Sequence, residues 1–221
     1  MRKKETKTSD LRKKALFWSL AAAIAMIMIF TCVRLTAFDK ELYKREFTKV
    51  GTYSRLENAD YLLDNIQGFF SYKQELDAKY FTEREVFHMQ DVRQFFDILD
   101  ILFYVIIGLS VIAIIIIYNY FTKDISDFIR ILRNSAIITI ALTVIFAILS
   151  LKFSPLLSAF HFVFFKAGTY TFTSASTLIM LFPEEFFHGM LTAMIFRVCM
   201  TALIVLAFSL LFSFIVKKYK L

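Results

Sequence analysis

Glycine and proline are scarce in this chain, with 5 Gly and 2 Pro among 221 residues. Together with an apolar content of 58%, that scarcity excludes a collagenous repeat and a disordered tail. Cysteine is just as limiting. Cys32 and Cys199 each lie inside an apolar run, so they supply neither a disulfide framework nor a Cys-based zinc site. The central turns of the longest apolar runs hold no Asp, Glu, Lys or Arg, which argues against an ion path or a proton relay. A net charge of +7 suggests nucleic acid until its distribution is read. Residues 1–14 hold seven Lys/Arg and two acids, whereas residues 36–98 hold nine Lys/Arg and twelve acids. The basicity sits at the chain ends, where a membrane protein places it, and no nucleic-acid partner is expected.

Four apolar runs meet the length of a spanning helix, about 20 residues for a ~30 Å hydrocarbon core. They are Ala15–Val33, Leu99–Phe121, Ser135–Leu151 and Ala193–Val216. The first follows a basic stretch, but Val33-Arg34-Leu35 stands where a signal-peptide cleavage site would need small residues, so an uncleaved anchor is expected. The Lys/Arg of the 1–14 tail, the Thr122–Asn134 turn and the 217–221 tail all belong on the inner side. The expected fold is an all-α membrane protein with four transmembrane helices and both termini cytoplasmic. Two extracytoplasmic segments, 36–98 and 152–192, would cap the outer face.

Thr82-Glu83-Arg84-Glu85 predicts a capping box, opening a helix that runs unbroken through Phe95-Phe96 into the second span. Ser154-Pro155 predicts the start of a short apolar helix ending before Gly168, too short to span and expected to lie in the outer interface. A further helix start is expected at Pro183-Glu184-Glu185. Neither outer segment has the pattern of an ordinary soluble domain.

All three histidines fall in these outer segments. His88 has Glu85 three residues before it and Asp91 three after, a spacing that lines the three side chains along one helix face. A carboxylate beside an imidazole orients it and raises its basicity, although an ordinary solvated charge pair has the same spacing. His161 stands among phenylalanines, where an ionisable group is costly unless paired, functional or reaching interfacial water. His188 is interfacial, and Arg34 and Arg197 either snorkel to headgroups or one of them holds a phosphate or ester carbonyl of a lipid substrate. His88, Asp91, His161 and His188 make only a scattered N/O set, so no metal and no cofactor is expected. The residues alone leave three readings open: an outer-face membrane enzyme, a metal-dependent membrane hydrolase, or a non-catalytic membrane partner or transporter subunit.

The run Phe81-Thr82-Glu83-Arg84-Glu85-Val86-Phe87-His88-Met89-Gln90-Asp91-Val92 resembles the T-E-R-E-x-x-H-M-x-D-V stretch of the lipoprotein intramolecular transacylases. The segment FHFVFFKAGTYTFTSASTLIMLFPEEFF from Phe160 resembles that family's F-H-x-x-F-F stretch and the T-L-I-x-L-F-P-E-x-F that follows. Thr169-Tyr170 stands where the family pattern has a Trp. The resemblance implies bacterial lipoprotein substrates carrying an S-diacylglyceryl cysteine, with membrane lipid around them. The implied reaction moves the sn-2 acyl chain to the α-amine and leaves the lyso form. It also implies His88 and His161 as the catalytic pair. His88, oriented by Glu85 or Asp91, would then be the base and His161 the proton donor, or the reverse.

Overall fold

The computed structural model describes residues 2–166 and 168–219, with side chains from residue 10 onward. It is built of helices, and no strand occurs among the described residues. In chain order they are α1 (Arg2–Ala37), α2 (Lys40–Val50), α3 (Thr52–Arg55), α4 (Ala59–Phe70), α5 (Glu83–Ile116), α6 (Ile125–Ser150), α7 (Phe153–Phe164), α8 (Thr177–Leu181) and α9 (Glu184–Tyr219). A π-helical turn over Ile117–Phe121 prolongs α5. Four helical stretches are long and apolar enough to cross a membrane: Asp10–Ala37, Glu83–Phe121, Ile125–Ser150 and Glu184–Tyr219. This is an all-α, multi-pass membrane protein. In the second stretch the charged residues end at Asp100, so the part with the length and composition of a span is Ile101–Phe121.

The chain divides into two compact units. The first comprises Met1–Val33, Ile101–Ala147 and Ile195–Leu221. Leu20, Ala21, Ile117 and Ile131 are buried at its centre, with Leu16, Phe17, Ile24 and Phe128 packed against them. Ala21 and Ala25 are fully buried, since small side chains let membrane helices approach closely. Its buried hydroxyls are satisfied within their own helix: Thr139 Oγ1 donates to the Ser135 carbonyl at 2.9 Å and Thr143 Oγ1 to that of Thr139 at 2.7 Å. Cys32 and Cys199 are both free thiols. The interval Thr122–Asn134, expected to be a turn, is helical from Ile125. Asp124 starts it by accepting from the Ser126 amide at 2.8 Å. Burial of Ile129 and Ile131 and a 3.1 Å ion pair from Lys13 to Asp127 give those ten residues a packed face.

The second unit comprises Arg34–Asp100 and Ile148–Met194. Contrary to the expectation that neither outer segment resembles a folded domain, the two together enclose a continuous apolar core. Leu42, Phe47, Leu62, Leu63, Ile66, Phe69, Leu178, Leu181 and Phe186 are all buried in it. Tyr43, Phe47, Phe182 and Phe186 interlock at ring separations of 5.0–6.3 Å. Most of the charged residues of 36–98 that hid this pattern are exposed, among them Lys40, Glu41, Arg45 and Lys49 on α2 and Asp60 and Asp64 on α4. α2 is held at both ends. Asp39 accepts from the Leu42 amide at 3.0 Å, and Gly51 closes it at φ 71°, a left-handed conformation that favours glycine. Ser154 does not cap α7 as expected. It lies inside the first turn and its hydroxyl bonds the Glu184 carboxylate at the start of α9.

The N-terminus of α5 is fixed by one carboxylate. Glu85, 0% exposed, accepts from the Thr82 amide and hydroxyl at 2.8 Å each, while the Glu85 amide donates back to Thr82 Oγ1 at 3.3 Å. Its other oxygen accepts from the Leu178 amide at the start of α8, at 2.9 Å. Thr177 adds a 2.6 Å bond to the Tyr80 carbonyl. The capping box is therefore also a cross-link between segments distant in sequence. On α9, a Cβ at Gly189 would lie 2.2 Å from the buried Glu46 carboxylate.

Two outcomes follow for purified protein in detergent. Glu85→Ala leaves buried donors at Thr82 and Leu178 unmet and lowers stability by about 2–4 kcal/mol, seen as a fall in the thermal unfolding midpoint. Gly189→Ala raises helix propensity by ~1 kcal/mol yet is net destabilising by about 1–3 kcal/mol through overpacking. In a double-mutant cycle that penalty shrinks when Glu46 is already Ala.

Candidate active site

The site lies wholly within the second unit. α5 begins at Glu83, so His88 stands in its second turn, and α7 carries His161 near its C-terminal end. Aromatic packing sets the two helices against each other. Phe95 of α5 lies 5.6 Å from the Phe160 ring and 4.9 Å from that of Phe164. The result is a pair of imidazoles with ring centroids 6.1 Å apart and planes inclined by 22°.

The two rings have different surroundings. His161 is partly exposed, and its Nδ1–H donates to the Leu157 carbonyl at 2.8 Å. A carbonyl only accepts, so that bond fixes the proton on Nδ1 and leaves the lone pair of the neutral ring on Nε2. Tyr170 covers the same ring at 5.2 Å. His88 is 8% exposed and lies 5.1 Å from Phe165 and 5.5 Å from Phe172. Its Nδ1 is buried with no hydrogen-bond partner. Burial favours the uncharged form of this ring and the neighbouring His161 acts in the same sense, while Asp91 pulls the other way.

The residues singled out from sequence divide into those brought together and those not. His88 and His161 meet. Asp91 lies one turn beyond His88 and acts on it through space without a hydrogen bond. Glu85 does not orient His88: its two oxygens are taken by Thr82 and Leu178. Arg34 is paired with Asp100 at 2.7 Å, away from the histidines in its bonding. The His188 ring packs on Phe153 at 5.1 Å. Among the described residues no three His, Cys, Asp or Glu converge as metal ligands.

Arg84 is a site residue that sequence spacing did not single out. It donates to the Gly168 carbonyl at 2.5 Å and to Thr171 Oγ1 at 3.2 Å, and its guanidinium lies 5.7 Å from the centre of the Phe172 ring. It thus ties the loop that follows α7 to the first turn of α5. Its place one turn before His88 was the available signal; the loop partners, more than eighty residues away, were not visible.

No curated protein matches the chain in sequence. Solved structures of the membrane-integral lipoprotein intramolecular transacylase from Bacillus cereus match it in fold. One, a form with a histidine-to-arginine substitution, has a TM-score of 0.81 at 16% identity, covering 100% of this chain and 99% of that one. Another has a TM-score of 0.80 at 17% identity over 96% of this chain and 99% of that one. A histidine-to-alanine form has 0.79 at 16%, over 98% and 99%. The family model described as lipoprotein intramolecular transacylase Lit matches residues 16–187, which takes in every residue of the site just described, and the chain belongs to that family.

Proposed function

We propose that this protein moves the sn-2 acyl chain of an S-diacylglyceryl-cysteine lipoprotein to that cysteine's α-amine, giving the N-acyl, S-monoacylglyceryl form. The observation that carries the reading is the histidine pair in which one ring has its tautomer fixed. Amine and ester sit on one substrate, so the protein needs chiefly to orient them, which can be worth about 7–11 kcal/mol, and to move protons.

The bond to Leu157 supports His161 as the base, because it presents Nε2 as a free acceptor. The neutral amine, a substantial minority species near pH 7 given a pKa of ~7.7–8.0, attacks the sn-2 carbonyl carbon. An N–H proton passes to His161 Nε2 as the C–N bond forms. His88, held uncharged by burial among aromatic rings against the opposing pull of Asp91, donates to the developing oxyanion. Collapse breaks the C–O bond, the glycerol oxygen takes the proton from His161, and an amide and a free hydroxyl result. Phe162 and Val163 of α7, 75% and 67% exposed, offer apolar surface to the acyl chains. The basic tails belong on the inner side by the positive-inside rule, which supports a site at the extracytoplasmic face, where such lipoproteins reside.

The test is mass spectrometry of the N-terminal lipopeptide of a reporter lipoprotein, expressed with this protein in a host without other lipoprotein N-acylation. The wild type gives an N-acylated peptide with unchanged total acyl content. His161→Gln, which keeps an N–H for Leu157 but has no basic lone pair, lowers conversion by at least about 100-fold, the scale of general-base catalysis. His88→Gln, which keeps a donor, loses only about tenfold, because a neutral donor remains to meet the oxyanion. A diacylglyceryl peptide with a free amine beside well-expressed wild-type protein overturns the reading.

A further inference from the structure

The first turns of α5 place Glu83, Phe87, Gln90 and Asp91 at i, i+4, i+7 and i+8, along one helix face. With Lys166 and Thr169 opposite, this face lines a cavity of about 570 Å³, within the ~300–1,000 Å³ range of small-molecule sites. The wall sets two carboxylates, an amide and an ammonium beside the Phe87 ring. That chemistry suits no acyl chain, for which burying the carboxylates without partners would be costly.

Arg84, also at the cavity, is committed to Gly168, Thr171 and the Phe172 ring. Neither Glu83 nor Asp91 forms an ion pair with any described residue. Asp91 is one helical turn from His88, a separation of about 5–6 Å between Cβ atoms, and close enough to act electrostatically on its ring. A cation held by Asp91 therefore stands beside His88.

A diacylglyceryl lipoprotein has two apolar chains and one end of opposite chemistry, its polypeptide with a free α-ammonium. Resting on the transacylase reading above, we propose that this cavity receives the polypeptide end. Asp91 accepts the α-ammonium, while Gln90 and Lys166 meet backbone groups of the residues that follow. The cavity then selects a lipid-modified polypeptide over membrane lipids that carry ester-linked chains but no peptide.

The experiment uses full-length protein with His161→Ala, which stops turnover, in nanodiscs of phosphatidylglycerol and phosphatidylcholine at pH 6.5. Binding is measured for a synthetic S-dipalmitoylglyceryl-cysteinyl tetrapeptide with a free α-amine and for its N-acetylated counterpart. The free amine is expected to bind at least about fivefold more tightly, the order a charge-assisted hydrogen bond carries. Adding Asp91→Asn brings the ratio to about one, and Asp91→Glu restores it, as loss and return of that charged partner require. Equal binding of the two peptides to the parent protein, or a preference that survives Asp91→Asn, overturns the assignment while leaving the transacylase reading in place. Failure of both peptides to bind overturns that reading as well.

Discussion

A single buried carboxylate organises the site without touching the reaction. Glu85 takes three hydrogen bonds from Thr82 and Leu178, closing the N-terminus of α5 and holding the start of α8 to it. A carboxylate without those donors could not stay buried, and the donors without it would be orphaned helix-end amides. The orientation of α5's first turns depends on that exchange, and so do the positions of Arg84, His88 and Asp91. The opposite wall depends on Phe95 packing against Phe160 and Phe164, and on Arg84 holding the Gly168–Thr171 loop.

What was legible in the sequence was local. The Thr82–Glu85 box is an i, i+3 pattern, and the four apolar runs need only length and composition to be seen. The unbroken passage of α5 from Glu83 past Phe95-Phe96 follows from the absence of any Gly or Pro there. What was not legible is long-range. The second role of Glu85, at Leu178, links positions 93 residues apart, and nothing in its own neighbourhood announces it. For the same reason the i, i+3 spacing offered Glu85 as well as Asp91 as a partner of His88: a shared helix face permits contact but does not say which neighbour wins the carboxylate. The core of Arg34–Asp100 with Ile148–Met194 was hidden because its apolar residues come from the short helices α2, α4 and α8 and from the ends of α5 and α9, pieces far apart in sequence. The amphipathic start of α6 was mistaken for a turn because its charges were counted and its isoleucines were not.

The proposed chemistry draws on a contrast between the surroundings of the two imidazoles. One has its proton fixed by a backbone carbonyl and its lone pair available; the other is enclosed by aromatic rings and kept from charging. That division of labour needs no carboxylate in contact with either ring, which is consistent with Glu85 being spent on structure. Around the pair, exposed aromatics of α7 and the polar cavity on α5 divide the surroundings as a lipid-modified polypeptide is itself divided. Binding energy gathered from both parts can hold amine and ester together, so the proton transfers alone are left to the histidines.

The central claim is that ester and amine react within one substrate molecule. The most direct measurement mixes two synthetic S-diacylglyceryl-cysteinyl peptides in liposomes with the purified protein, one carrying deuterated acyl chains and the other a ¹⁵N-labelled peptide. The account predicts N-acylated products of the two parental masses only. A product joining a deuterated acyl chain to the ¹⁵N-labelled amine would contradict it.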